Sequence, residues 1–208
     1  MAVTVAAPGT RRMVLDNISW ETYERLLADH VDQSAPRFSY DRGLLEIVIL
    51  GRDHEVDNRC IAHLVWLVAA EIGIDLVDVG SMTYRRAAEQ RGFEADSSFY
   101  IQHAGVARSE DFDVSDGPPP DLVIEIDASR SSLNNLDLYF HLDVPEVWTW
   151  ERGRAKFFVR GSDRYDEVSQ SRALPCFTTD MVTRLTEENR SLTSSEWYRS
   201  IVAWARSL

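Results

Sequence analysis

Pro120-Asp121-Leu122-Val123-Ile124-Glu125-Ile126-Asp127 is the stretch whose reading decides the fold. Leu122-Val123-Ile124 is continuously apolar, the signature of a strand buried on both faces rather than on one. The run Gly117-Pro118-Pro119-Pro120 stops regular structure just before it. After it, Ser131 or Ser132 can cap a helix reaching about Leu142, and Glu146-Val147-Trp148-Thr149-Trp150 reads as another strand. Strand, helix, strand in that order predicts a parallel pair joined by a right-handed crossover, with the 121–127 strand central.

Working outward, Ala155 to Val159 and Tyr165 to Val168 extend the sheet as antiparallel edge strands, and helices are expected over Thr179–Glu187 and Ser194–Ala205. On the amino-terminal side, Glu94 to Ile101 reads as one strand, and Leu76–Val79 and Met82–Arg85 as two short ones around Gly80. Apolar residues at Val56, Cys60, Ile61, Leu64, Val65 and Val68 recur with a period near 3.6, so Asp53 to Ile72 is the main helix, closed by Gly73. Arg37–Tyr40 and Leu44–Leu50, joined by Asp41-Arg42-Gly43, form a hairpin, and Ser19 caps a short helix through Asp29. The expected architecture is α/β (mixed α+β), a central mixed β-sheet flanked by helices with an N-terminal hairpin and C-terminal helices. A 208-residue chain with 44% hydrophobic content suits one domain over 1–208, with a flexible terminus at 1–15, a core over about 17–170 and closing helices over 178–208.

Composition narrows the function classes. Two cysteines, Cys60 and Cys176, give no disulfide framework, and the arginines of the first twelve residues follow the apolar stretch rather than precede it, so a cytoplasmic protein without a signal peptide is expected. No uninterrupted apolar run approaches a membrane span. The net charge of −12 opposes non-specific binding to nucleic acid, although a metal or a local arginine cluster can offset it. Of the 22 basic residues only Lys156 is a lysine, which limits any mechanism that needs one.

Three acids carry the chemistry. Asp121 and Glu125 stand four residues apart on one strand, roughly 13 Å, and cannot share an ion. Glu125 and Asp127 share a face at roughly 6.6 Å between α-carbons, and Asp96, on a neighbouring strand about 4.8 Å away, would join them if the two strands pair. Such a cluster is costly in an apolar sheet unless it holds a cation; the alternative is that these acids sit at strand ends and face water. An all-oxygen set suits magnesium or manganese rather than zinc.

These residues resemble a known family, the Uma-type restriction endonucleases, a branch of the PD-(D/E)xK nuclease superfamily. The likeness runs from about Trp20 to Tyr165. It rests on Gly43-Leu44-Leu45-Glu46-Ile47, His54-Glu55 at a helix start, Gly80-Ser81 with Thr83 and Arg85-Arg86, Glu94-Ala95-Asp96-Ser97-Ser98-Phe99-Tyr100-Ile101, Pro120-Asp121-Leu122-Val123-Ile124-Glu125 and Val144-Pro145-Glu146-Val147-Trp148. The resemblance implies a restriction-endonuclease-like fold and a homodimer. It implies hydrolysis of phosphodiester bonds in DNA through carboxylate-bound Mg or Mn, with Asp96 and Glu125 as the motif acids.

Ala95 replaces the motif's usual proline. Glu55, on the first core helix, is the candidate for an additional acid, and its place in a first helical turn is also what the helix dipole favours. His54 is a candidate to bind phosphate or relay a proton, or is a surface or capping residue. Arg85 and Arg130 are candidate phosphate contacts. The motif lysine is missing: Asp127 stands two residues after Glu125, and Asn135 stands four before Tyr139, where the family places it instead. Trp148, Trp150, Phe157 and Phe158 are read as core rather than as a base-stacking platform.

The leading expectation is a magnesium-dependent endonuclease. Its rivals are a non-cleaving binding or regulatory module that keeps the fold, and a carboxylate-pair glycosidase, which would need an aromatic cleft beside the acids and no metal.

Overall fold

The computed structural model describes residues 9–31, 33, 35–114, 117–126 and 135–208. Leu122–Ile126 form β8, every residue of it buried. It pairs parallel with β9, Glu146–Glu151, and antiparallel with β7, Ser97–Tyr100. Around them a six-stranded sheet runs β11-β10-β9-β8-β7-β4, with β4 at Val77–Gly80, β10 at Arg154–Arg160 and β11 at Tyr165–Val168. The central position of β8, the parallel pair and the antiparallel edge follow the sequence reading.

A second sheet has the order β1-β3-β2-β6-β5, from β1 (Arg11–Leu15), β2 (Arg37–Asp41), β3 (Leu44–Ile49), β5 (Thr83–Arg86) and β6 (Arg91–Glu94). Two expectations change here. Arg11 to Leu15, assigned to a flexible terminus, is instead an edge strand on the hairpin, Arg12 standing opposite Val48. The strand expected over Glu94–Ile101 is two strands in two sheets, because the chain crosses from one sheet to the other at Ala95-Asp96. The short strands around Gly80 are likewise divided between the sheets, with Gly80 at a positive φ of 57°.

Side chains of β8 alternate between two environments, as the pleat requires. Leu122, Ile124 and Ile126 pack with α2 (Arg52–Glu71), α5 (Thr179–Glu188) and α6 (Ser194–Ala205). Val123 lies on the opposite face with Leu138 and Tyr139 of α4 (Asn135–His141) and with Tyr84 and Phe93 of the second sheet. Glu125, two residues from Val123, shares that face, so the second sheet covers it. A smaller cluster of Trp20, Tyr23, Phe38, Tyr40 and Leu45 seats α1 (Trp20–Asp29) on the second sheet. The short α3, Ala104–Ala107, follows β7. Trp148, Trp150 and Phe157 are buried, in keeping with the core reading, whereas Phe158 is only partly buried, packed against the Val123 cluster.

Helix termini use their expected chemistry. Ser19 caps α1 by accepting from the Thr22 amide, and Thr193 and Glu196 form a reciprocal capping box on α6. Thr193→Ala is expected to cost about 1 kcal/mol, read from a urea unfolding curve. Among the described residues no helix is long and apolar enough to cross a membrane.

Candidate functional site

The register that pairs Ser97 with Ile124 places Asp96 opposite Glu125 one step further along. Both are buried at 6% exposure, and both line one small cavity of about 20 Å³. The sequence predicted that strand pairing would bring these acids together, and they do face the same small space.

Their partners come from four directions. The Arg37 guanidinium of β2 donates to Asp96 Oδ1 through Nη1, which also donates to the Ala95 carbonyl at 3.1 Å. Asp96 Oδ2 accepts from the Ile126 amide at 2.8 Å, and His54 Nε2 of α2 lies 3.1 Å from the same oxygen. One helical turn on, Asn58 donates to the Asp96 carbonyl at 3.0 Å and accepts from Ser97 at 2.8 Å. The Tyr139 hydroxyl of α4 donates to Glu125 Oε1. Arg12 of β1 pairs with Glu46 at 3.1 Å on the far side of the cavity.

Four acids, Glu46, Glu94, Asp96 and Glu125, line this space against two arginines, Arg12 and Arg37. That leaves an excess of two negative charges when all are ionised. The cost falls on Glu125. Burial first and the Asp96 charge second push its carboxyl up to about 8; the Tyr139 hydrogen bond, Arg12 and Arg37 pull the other way. Burial and the neighbouring Glu125 raise the Tyr139 phenol well above its usual range, so it stays a donor.

The other sequence candidates separate. His54 is buried against Asp96, not a surface residue. Glu55 lies at the edge, its carboxylate 2.8 Å from Arg59 and 4.0 Å from Arg37. Arg85 belongs elsewhere, in a polar cavity of about 480 Å³ beside α1, with Glu24 at 3.9 Å. Asp121 is buried in a structural role, accepting from the Ile101 and His103 amides. Asp127 and Arg130 lie outside the described residues. A groove of about 920 Å³ between α2 and α6, lined by Trp66, Leu67, Trp197 and Tyr198, is far larger than the acid cavity but mostly apolar.

Sequence reasoning missed Arg12, Arg37 and Asn58. Asn58 had a local signal, sitting one turn after His54 on α2. The arginines had none, since Arg37 meets Asp96 across 59 positions of sequence.

Two sheets with flanking helices, closed over a pair of buried carboxylates, define a mixed α/β fold of the restriction-endonuclease type. A crystal structure described as a "putative nuclease belonging to DUF820" from Anabaena variabilis is similar to the chain with a TM-score of 0.51 at 12% identity, over 90% of this chain and 99% of that one. Residues 20–186 match the model of the Uma2 family, described as "Putative restriction endonuclease", and the chain belongs to that family. Among curated proteins none matches.

Proposed function

We propose that this protein is a metal-dependent endonuclease that hydrolyses phosphodiester bonds in DNA, with Asp96 and Glu125 as the residues that hold Mg or Mn. The observation that carries the reading is the placement of two buried acids across one strand pair, at the positions the nuclease motif requires.

The donor set fits such an ion. Asp96 and Glu125 each retain oxygen lone pairs beyond the hydrogen bonds described, and those bonds are of the kind that orients a ligating carboxylate from behind. Once Glu125 has released its proton, the excess of two negative charges among the described residues lining the cavity matches one divalent cation. Among the described residues no group of three or more His, Cys, Asp or Glu side chains is arranged to hold a metal. Magnesium is commonly bound by one or two carboxylates completed by water and substrate phosphate, so a two-acid site suits it. When bound, the ion would acidify the attacking water and neutralise charge on the phosphate. Arg37 and the Ile126 amide fix the Asp96 carboxylate; Tyr139 fixes that of Glu125.

Glu125→Gln keeps the shape and the Tyr139 contact. It is expected to abolish Mg-dependent relaxation and linearisation of supercoiled plasmid while the circular dichroism spectrum is unchanged. Cleavage by Glu125→Gln at the wild-type rate would sink the assignment.

The second reading is a non-cleaving module on the same fold. It is favoured by Asn135, a neutral side chain lining the cavity at the position where the motif lysine would stand. Calorimetric titration with Mn²⁺ separates the two, since a folded protein that binds none supports the module. The glycosidase reading loses its footing, because among the described residues no aromatic side chain lines the cavity shared by the acids.

A further inference from the structure

The absent lysine leaves the proposed nuclease without the positive charge its motif would place beside the acids. The cavity supplies it from the other sheet. Arg12 and Arg37 both line the space shared by Asp96 and Glu125, and each has a buried Nε–H with no hydrogen-bond partner. An orphaned buried donor is costly, on the order of 1–3 kcal/mol, and more for a charged group, so two around one small cavity point to an oxygen guest.

We propose that Arg37, assisted by Arg12, takes the place of the motif lysine: the two guanidiniums receive a phosphate oxygen of the substrate beside the Asp96 and Glu125 pair. This rests on the nuclease reading above and names the residues that complete it. The division of labour within Arg37 is visible, since Nη1 is spent on Asp96 and Ala95 while Nε is unspent. A guanidinium is always charged and offers fixed donors, so it stabilises phosphate charge but does not exchange a proton. The site would therefore depend on charge placement alone at this position, and a lysine restored at Asn135, which lines the same cavity, would do the same work from the opposite wall.

The test compares wild type, Arg37→Met and the double variant Arg37→Met/Asn135→Lys. Readouts are kcat and KM for plasmid nicking, Mn²⁺ affinity by calorimetry without nucleic acid, and thermal midpoint. The expected result for Arg37→Met is a loss of at least 100-fold in kcat with KM within about threefold, alongside Mn²⁺ binding about tenfold tighter, because a like charge beside the ion is gone. The double variant should regain at least tenfold in kcat and return Mn²⁺ affinity toward wild type.

Weaker Mn²⁺ binding in Arg37→Met, with no rescue by Asn135→Lys, would show Arg37 to be only a structural partner of Asp96 and would overturn the proposal. A wild type that binds Mn²⁺ but cleaves nothing would refute the nuclease reading, and the Arg37 proposal would then stand or fall on the predicted rise in Mn²⁺ affinity. If Arg37→Met does not fold, Arg37→Gln, which keeps one donor toward Asp96 without the charge, takes its place with the same expected outcomes.

Discussion

Asp96→Asn is expected to destabilise the protein by about 3–5 kcal/mol, the range for breaking a buried ion pair from one side. The reason is Arg37. Its guanidinium is 7% exposed and donates to Asp96 Oδ1, and its other neighbouring acid, Glu55, is 4.0 Å away at a half-exposed position. Neutralising Asp96 removes the carboxylate hydrogen-bonded to this buried guanidinium and leaves it only more distant acids, Glu55 at 4.0 Å among them. His54, packed against the same carboxylate, loses its partner as well. Urea unfolding in buffer without divalent metal measures the loss, and a change below about 1 kcal/mol would mean that the pair is not buried as described. It follows that loss of cleavage in Asp96→Asn cannot by itself be assigned to chemistry, which is why Glu125→Gln is the sharper test of activity.

Glu125→Gln should act on stability in the opposite sense, and in a pH-dependent way. In the folded protein the Glu125 carboxyl holds its proton up to about pH 8, whereas an ordinary carboxyl releases it near 4.5. Between those values the folded state binds more protons than the unfolded state, so stability falls as pH rises. The contribution of the protonated carboxyl is fully present below about pH 4.5 and is lost as pH climbs through 8. Glutamine carries no such liability. In metal-free buffer the variant should match wild type near pH 4 and become steadily more stable than it toward pH 9. Parallel stability curves for the two proteins from pH 5 to 9 would contradict this account of Glu125.

Much of the scaffold was legible because it is local. The Ser19 cap, the 3.6-residue period of α2 and the continuous apolar run of β8 are each written within a few consecutive residues, and each appears where expected. What escaped was non-local or unpunctuated. β1 is largely exposed on a sheet edge, so its side chains carry no burial pattern, and its strand character comes from pairing with β3, 30 to 38 positions away. The corner at Ala95-Asp96 has no glycine or proline to mark it, and Glu94 through Ile101 reads as one strand although the chain changes sheets midway. The acid pair was legible because strand pairing alone brings Asp96 and Glu125 together. Its arginine partners were not, because no local pattern ties Arg12 or Arg37 to acids far along the chain.

The crossing at Asp96 has one more consequence. Glu125 belongs to one sheet and the neighbouring arginines to the other, with Asp96 at the crossing between them, so the proposed site needs both sheets. During synthesis, Arg12, Arg37 and Asp96 exist well before Glu125 is made, and the six-stranded sheet cannot form until its later strands follow. On the nuclease reading proposed above, a nascent or half-unfolded chain would lack the assembled site, so cleavage would wait on folding of the whole molecule.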